Sequence, residues 1–313
     1  MSLFSEIKQG KKSALSKGIT LLESSLITDI PKAQKLISDC LPLSGNSIRI
    51  GITGVPGVGK STFIETFGKL LTSKGHKVAV LAIDPTSEKT QGSILGDKSR
   101  MNKLSVDKDA FIRPSPSSGT LGGVTNKTRE NIILCEAAGY DIILIETVGV
   151  GQSETTVSNL TDFFLLLMLA GAGDELQGIK RGIMELADLL IINKADGNNI
   201  KDSENAALAY KRSLHLFPSM ENGWTPKVSI CSALENTGIL EIFATINKFN
   251  TLIISNGWKI ANRKKQNIYW LHLTIKEELG SKKYNTLLSE GRLKILEKEL
   301  EKGTTIYQLV NSL

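Results

Sequence analysis

Gly51-Ile-Thr-Gly-Val-Pro-Gly-Val-Gly-Lys-Ser-Thr62 decides how the rest of the chain is read. From Gly54 to Ser61 it spells G-x-x-x-x-G-K-S, with the apolar run Ile48-Arg-Ile-Gly-Ile52 before it and Phe63-Ile-Glu-Thr-Phe-Gly-Lys-Leu-Leu71 after it. Strand, glycine-rich turn and helix in that order make a loop that cradles phosphates. Gly54, Gly57 and Gly59 let the backbone turn without Cβ clashes, so successive N–H groups point inward at phosphate oxygens while the helix N-terminus adds its positive end. Gly54, Val55, Pro56, Gly57, Val58, Gly59, Lys60, Ser61 and Thr62 are therefore expected to wrap a nucleoside phosphate. Lys60 reaches the β- and γ-phosphates, and the Ser61 hydroxyl is placed to ligate Mg²⁺.

The rest of the composition is ordinary. At 313 residues, 41% hydrophobic and 22% charged, the chain is long enough for a proper core. Its longest uninterrupted apolar run, Phe163 to Ala170, is far shorter than the ~20 residues of a membrane span and reads as a buried strand. The first ten residues lack the apolar core of a secretory signal, and Cys40, Cys135 and Cys231 are too scattered for a disulfide framework or a metal set. The expected location is the cytoplasm, with no membrane involvement. The net charge of +6 would hint at nucleic acid, but it is unevenly spread. Residues 1–46 carry six lysines against four acids, residues 47–256 carry 21 cations against 22 acids, and residues 257–313 carry eleven cations against six acids. The excess sits outside the nucleotide-binding part, as expected for solvated helix faces and not for a nucleic-acid interface.

Residues 11–25 and 31–41 have helical apolar spacing, with Pro31 placed for a first turn. From residue 47 onward, short apolar runs alternate with helical stretches; strands are expected at 47–52, 77–83, 141–146, 163–169, 188–192 and 227–230. The fold class is α/β: a doubly wound, mostly parallel sheet with ligand-binding loops at the carboxyl ends of its strands. Three regions are expected: a helical extension (1–46), the nucleotide-binding core (47–256) and a C-terminal helical arm (257–313).

The strand ends carry the chemistry. Asp84 follows the second strand, and the Gly- and Ser-rich stretches 90–101 and 113–123 have the composition of segments ordered by a ligand. Glu146-Thr-Val-Gly149 closes the third strand, an arrangement by which phosphate-loop proteins hold Mg²⁺ and sense the γ-phosphate. Asn193-Lys-Ala-Asp196 decides the base: an Asp carboxylate accepts from N1–H and the exocyclic amine of guanine, whereas adenine would leave it unpaired. Cys231-Ser232-Ala233 follows the sixth strand, where a backbone N–H can meet guanine O6. The ligand is expected to be GTP or GDP.

Leu81-Ala-Ile-Asp-Pro-Thr-Ser, Gly92-Ser-Ile-Leu-Gly-Asp-Lys-Ser-Arg-Met, the run Phe111 to Val124, Glu146-Thr-Val-Gly-Val-Gly-Gln-Ser-Glu and Ala170-Gly-Ala-Gly-Asp-Glu-Leu-Gln-Gly-Ile-Lys resemble the MeaB/ArgK family. These are methylmalonyl-CoA mutase-associated GTPases, also labelled arginine/ornithine transport ATPases. The resemblance spans about residues 10–250. It implies a P-loop G-protein chaperone that hydrolyses GTP faster with the mutase than alone. It also implies that the nucleotide state gates adenosylcobalamin delivery and removal of damaged cofactor. It places Lys60, Ser61 and Thr62 on phosphates and magnesium, Asp84, Asp97 and Glu146 around the metal, and Asn193, Lys194, Asp196, Ser232, Ala233 and Leu234 on the base. Asp174, Gln177 and Lys180, in the loop from Gly171 to Arg181, would form a further switch that contacts the partner.

Glu88 and Gln91 stand where the family's first switch has Pro and Gly. In the arm, Ile268, Leu271, Ile275 and Leu279 form one stripe and Leu293, Leu296 and Leu300 another, suited either to packing within the chain or, as the family implies, to a homodimer. Val150, after Gly149, cannot orient a water; Gln152, the carboxylates, among them Asp97 and Glu146, or a group from the partner are the candidates. Competing readings are a metal-insertion GTPase, which would call for a Cys/His cluster near the phosphate loop, and a P-loop kinase, which would call for ATP and an acceptor pocket.

Overall fold

The computed structural model describes residues 2–83, 101–114, 121–147, 157–171, 181–218 and 220–313. Three helices come first: α1 (Leu3–Lys8), α2 (Lys12–Glu23) and α3 (Ile30–Cys40). Strands and helices then alternate as β1 (Ile48–Gly54), α4 (Lys60–Ser73), β2 (Val78–Ile83), α5 (Asn102–Ser105), β3 (Ala110–Pro114), α6 (Leu121–Ala137) and β4 (Ile142–Thr147). They continue as β5 (Phe163–Leu169), α7 (Arg181–Leu186), β6 (Leu189–Asn193), α8 (Ile200–Leu214), β7 (Lys227–Ile230) and α9 (Ile239–Ser255). The chain closes with α10 (Trp258–Ser289), α11 (Arg292–Glu301) and α12 (Ile306–Asn311).

The seven strands pair in the order β3-β2-β4-β1-β5-β6-β7, every pair parallel. The expectation of a mostly parallel sheet is thus met by a wholly parallel one among the described residues. Burial on both faces explains the unbroken apolar runs: β4 is buried along its whole length and β5 in all but its last residue. All six expected strands keep their bounds or shift by one or two residues at an end, the largest change being the extension of β1 to Gly54. The strand Ala110–Pro114 and the helix Leu3–Lys8 are additions to the expectation. The strand order turns at β1, which has β4 on one side and β5 on the other, and such a switch point opens a crevice at the carboxyl ends of the strands.

The N-terminal helices share the core with the sheet. Ile7, Leu15, Ile19 and Leu22 are buried in one cluster with the strand residues. A Cβ on Gly18 would come within 2.9 Å of both Ile7 Cδ1 and Leu134 Cδ2, so glycine sets the closeness of α2 to α6. On the other side Phe249 of α9 meets Phe163 of β5 edge-on at 4.8 Å and Trp224 at 5.3 Å. Among the described residues no helix is long and apolar enough to cross a membrane.

In the arm, Leu271, Ile275 and Leu293 are fully buried, and Leu279, Leu296 and Leu300 pack with them, so both stripes are consumed largely within the chain. α10 bends at Gly280, whose φ of 79° lies in the left-handed region. Arg263 fastens α10 to the sheet: its guanidinium donates to Asp162 at 2.5 and 2.6 Å, to the Ser47 carbonyl at 3.0 Å and to Glu136 at 3.4 Å. Asp162 also accepts the Arg49 N–H of β1 at 2.9 Å, and Glu136 is forked by the Arg49 guanidinium at 3.0 Å. Burial alone would raise the Glu136 pKa, but Arg49 and Arg263 outweigh it and hold the carboxyl at about 2. Arg263→Met is expected to cost roughly 3 kcal/mol in urea denaturation, because it strips a buried carboxylate of its cation. Loss of less than about 1 kcal/mol would mean that solvent already screens the pair.

Asp188, between α7 and β6, is a buried carboxyl that accepts the Phe164 N–H at 2.8 Å. Burial pushes its pKa up to about 7, despite the Phe164 and Asn222 hydrogen bonds, and the nearby Asp162 charge adds to the rise. A carboxyl with a raised folded pKa holds its proton more tightly folded than unfolded. Its stabilisation is complete below the unfolded value near 4 and fades as pH climbs toward 7, by on the order of a few kcal/mol. Asp188→Asn keeps an acceptor for Phe164 and should flatten that slope when denaturation midpoints are compared at pH 5 and pH 8.

Candidate functional site

β1 leaves the sheet at Gly54, where a Cβ would lie 2.5 Å from the Leu167 carbonyl oxygen of β5. The chain then loops back over buried Val58 to Gly59, the cap of α4, at φ 92°. The first helical bond runs from the Phe63 N–H to the Gly59 carbonyl at 2.9 Å, so the N–H groups before it point out of the helix end, at the disposal of an anion. Lys60 lies over the same loop, its Nζ donating to the carbonyls of Gly54 at 2.9 Å and Val55 at 3.4 Å. Burial lowers its pKa, and the opposing charge of Glu146 raises it. Glu146, buried near the end of β4, stands opposite Ile52 in register, two residues before Gly54. Next to it the Thr147 hydroxyl donates to Thr53 at 2.8 Å, tying β4 to β1 where the loop departs.

The base-reading segments meet the phosphate loop through Asn193. Its carboxamide donates to the Val58 carbonyl at 2.8 Å and accepts the Ala233 N–H at 3.1 Å and, more weakly, the Cys231 thiol at 3.4 Å. One side chain therefore joins the phosphate loop, the end of β6 and the loop after β7. Lys194, at φ 60°, runs beside Gly59, and the Ser232 hydroxyl donates to Asp196 Oδ2 at 2.5 Å. From α4, the Thr66 hydroxyl donates to the Ala233 carbonyl at 2.7 Å, while Leu234 is 80% exposed at the rim. Thr66 and the Thr53–Thr147 pair are contributors that sequence reading missed, and Cys231, read only as part of the base loop, adds its thiol. A polar residue inside an apolar helix face or strand end was the available signal, and it does not say which loop it will hold.

The structure thus brings together Gly54 to Thr62, Glu146, Asn193, Lys194, Asp196, Ser232, Ala233 and Leu234 around one crevice. Asp84, Asp97, Gln152, Asp174, Gln177 and Lys180 lie outside the described residues. The crevice suits a nucleoside phosphate: backbone donors and Lys60 at one end, and at the other a carboxylate with one oxygen committed to Ser232 and one free for a base. Among the described residues no three His, Cys, Asp or Glu side chains gather as a metal group.

Gly59 is the point where this arrangement is tightest. A Cβ there would sit 2.9 Å from Asn193 Nδ2 on a backbone that L side chains rarely adopt. Gly59→Ala is expected to weaken GDP binding by about tenfold or more, since strain and the displaced Asn193 together exceed ~1.4 kcal/mol. Titration with a fluorescent GDP analogue, with unchanged circular dichroism, would show it.

Residues 15–287 match the family model described as "Methylmalonyl Co-A mutase-associated GTPase MeaB". The chain is 48% identical over 273 residues to "GTPase ArgK" of Escherichia coli, covering 87% of this chain and 82% of that protein. It is 46% identical over 287 residues to "Methylmalonic aciduria type A homolog, mitochondrial" of Mus musculus, covering 88% and 69%. Among solved structures, a crystal structure described as a LAO/AO transport system kinase superposes with a TM-score of 0.78 at 37% identity, covering 99% of this chain and 95% of that one. The matched span runs from α2 through the sheet and its phosphate loop into α10, and the chain accordingly belongs to the family of methylmalonyl-CoA mutase-associated GTPases named for MeaB.

Proposed function

We propose that this GTPase uses its nucleotide state to gate adenosylcobalamin loading of methylmalonyl-CoA mutase, or a related acyl-CoA mutase, and to protect or reactivate that enzyme. The observation that carries the reading is the Asn193 bridge from Val58 to Ala233, which makes the phosphate loop and the base loop a single unit. A site built this way senses base and phosphates together, as a switch on guanine nucleotide requires.

In this reading Lys60 releases its own loop's carbonyls and neutralises the β- and γ-phosphate oxygens, while the N–H groups before Phe63 fix the phosphates for in-line attack. Asp196 takes the guanine N1–H and amine, Ala233 and Leu234 offer backbone N–H groups, and Lys194 lies alongside the base. Ser61, Glu146, Asp84 and Asp97 would hold Mg²⁺, which when bound offsets phosphate charge. Gln152 is assigned to orienting the attacking water, and Asp174, Gln177 and Lys180 to reading the mutase. The core at 47–256 carries the chemistry, with 1–46 and 257–313 as extension and arm. Self-association into a homodimer would use arm residues that stay exposed, Leu288 and Ile295 among them, since the apolar stripes are largely covered. The expected setting is the cytoplasm.

The test is GTP and ATP turnover by the full chain with and without methylmalonyl-CoA mutase or isobutyryl-CoA mutase, together with transfer of adenosylcobalamin to the apo-mutase. GTP preference with stimulation by one mutase, and transfer that depends on GTP, is the expected result. Absence of both stimulation and co-elution would overturn the assignment. The kinase description of the structural relative supplies the alternative, for which the same assay with ATP would show phosphate passing to an acceptor and not to water.

A further inference from the structure

At the edge of the sheet where β1 and β4 begin lies a cavity of ≈ 510 Å³, within the size range of small-molecule sites. The length of β1 separates it from the phosphate loop by roughly 20 Å. Arg49, Arg129, Lys259, Arg263 and Lys264 line it. Two of these cations already have carboxylates, Arg49 on Glu136 and Arg263 on Asp162. Arg129 has the Asn267 carboxamide oxygen at 3.2 Å, and among the described residues Arg129, Lys259 and Lys264 have no carboxylate within ion-pair distance.

Lys264 is exposed, but Arg129 and Lys259 are half-buried, and cations left this way are costly unless an anion joins them. Burial lowers the pKa of Lys259 and brings Arg129 down to about 10, each against the pull of more distant acids. The first turn of α10, Lys259 and Ile260 after Gly257, opens on the same space and adds the positive end of a long helix. Of the rest of the wall, Ile133 and Ile253 are buried, Ile254 and Ile260 stand 57% and 69% exposed at the lip, and Ser44, Asn46 and Asn267 add polar groups.

We propose that this cavity is a second ligand site, for a small organic anion whose phosphate or carboxylate is held by Arg129 and Lys259 and whose apolar body lies against Ile133 and Ile253. Arginine offers the forked donors that either head group accepts, and Lys259 a point charge. An inorganic ion would leave the isoleucines unused.

The full chain, first saturated with GDP to block the phosphate loop, would be titrated calorimetrically with phenyl phosphate, benzoate and inorganic phosphate. One saturable site per chain is expected, with phenyl phosphate or benzoate binding more tightly than inorganic phosphate; which of the two is tighter identifies the head group. Lys259→Ala and Arg129→Gln should each weaken binding by about tenfold or more, the worth of a charged hydrogen bond. The Lys259 side chain makes no hydrogen bond or ion pair among the described residues, so its variant should keep the GDP affinity and melting temperature of the parent. No saturable binding to the GDP-loaded protein, equal binding by parent and both variants, or no advantage over inorganic phosphate would each overturn the proposal.

Discussion

Asp196→Asn is expected to shift nucleotide preference from guanine toward xanthine by about 10⁴-fold, the scale on which a site built to pair polar groups rejects a ligand that leaves them unpaired. The Ser232 hydroxyl donates to Asp196 Oδ2 at 2.5 Å, which leaves Oδ1 for the base. An asparagine in its place would keep its oxygen toward Ser232 and turn its NH₂ to the base. Guanine N1–H and amine would then face a donor, whereas the 2-carbonyl of xanthine would accept from it. Competition between GDP and XDP for the two proteins measures the exchange directly. GDP affinity unchanged in the variant would show that Asp196 does not read the base.

Replacing Lys60 with alanine should lower GTP turnover by about 10³-fold, the upper range for removing one preorganised donor from developing charge. Lys60 is partly buried, and its ammonium rests on the Gly54 and Val55 carbonyls of the phosphate loop itself. Burial pulls the pKa of the lysine down, and Glu146 supplies a counter-charge that opposes that pull. Single-turnover hydrolysis at saturating GTP separates the chemical step from binding, and a variant that bound GTP weakly but hydrolysed it at the parent rate would assign Lys60 to affinity alone. Lys60→Arg should not restore the parent, because a planar fork does not fit the space of a point charge.

Much of this site could be read from the sequence, because the requirements are local. A glycine-rich turn between apolar strand and helix, and carboxylates or amides at strand ends, depend on spacing alone, and Gly54 to Ser61, Glu146 and Asn193 to Asp196 all lie at the carboxyl ends of β1, β4 and β6. What escaped reading depends on contacts between distant segments. Asn193 reads from the sequence as a ligand to the base, and its side chain also ties Val58 to Ala233, a link that spacing does not encode. The edge strand Ala110–Pro114 was hidden because among the described residues it pairs only with β2, is five residues long, and ends in Arg113 and Pro114, which break the apolar run. Arg113 reaches Glu23 of α2, a pairing that no local pattern encodes. The arm's stripes announced burial, but whether against the same chain or another was undetermined until Leu271, Ile275 and Leu293 were seen inside.

The clasp at Arg263 has a mechanical corollary. Asp162 grips both that guanidinium and the backbone of Arg49, so α10 is bolted to the foot of the rod whose head is the nucleotide loop. A protein that seizes the arm therefore leans on β1 itself, and cannot swing α10 aside without first pulling an ion pair out of the interior.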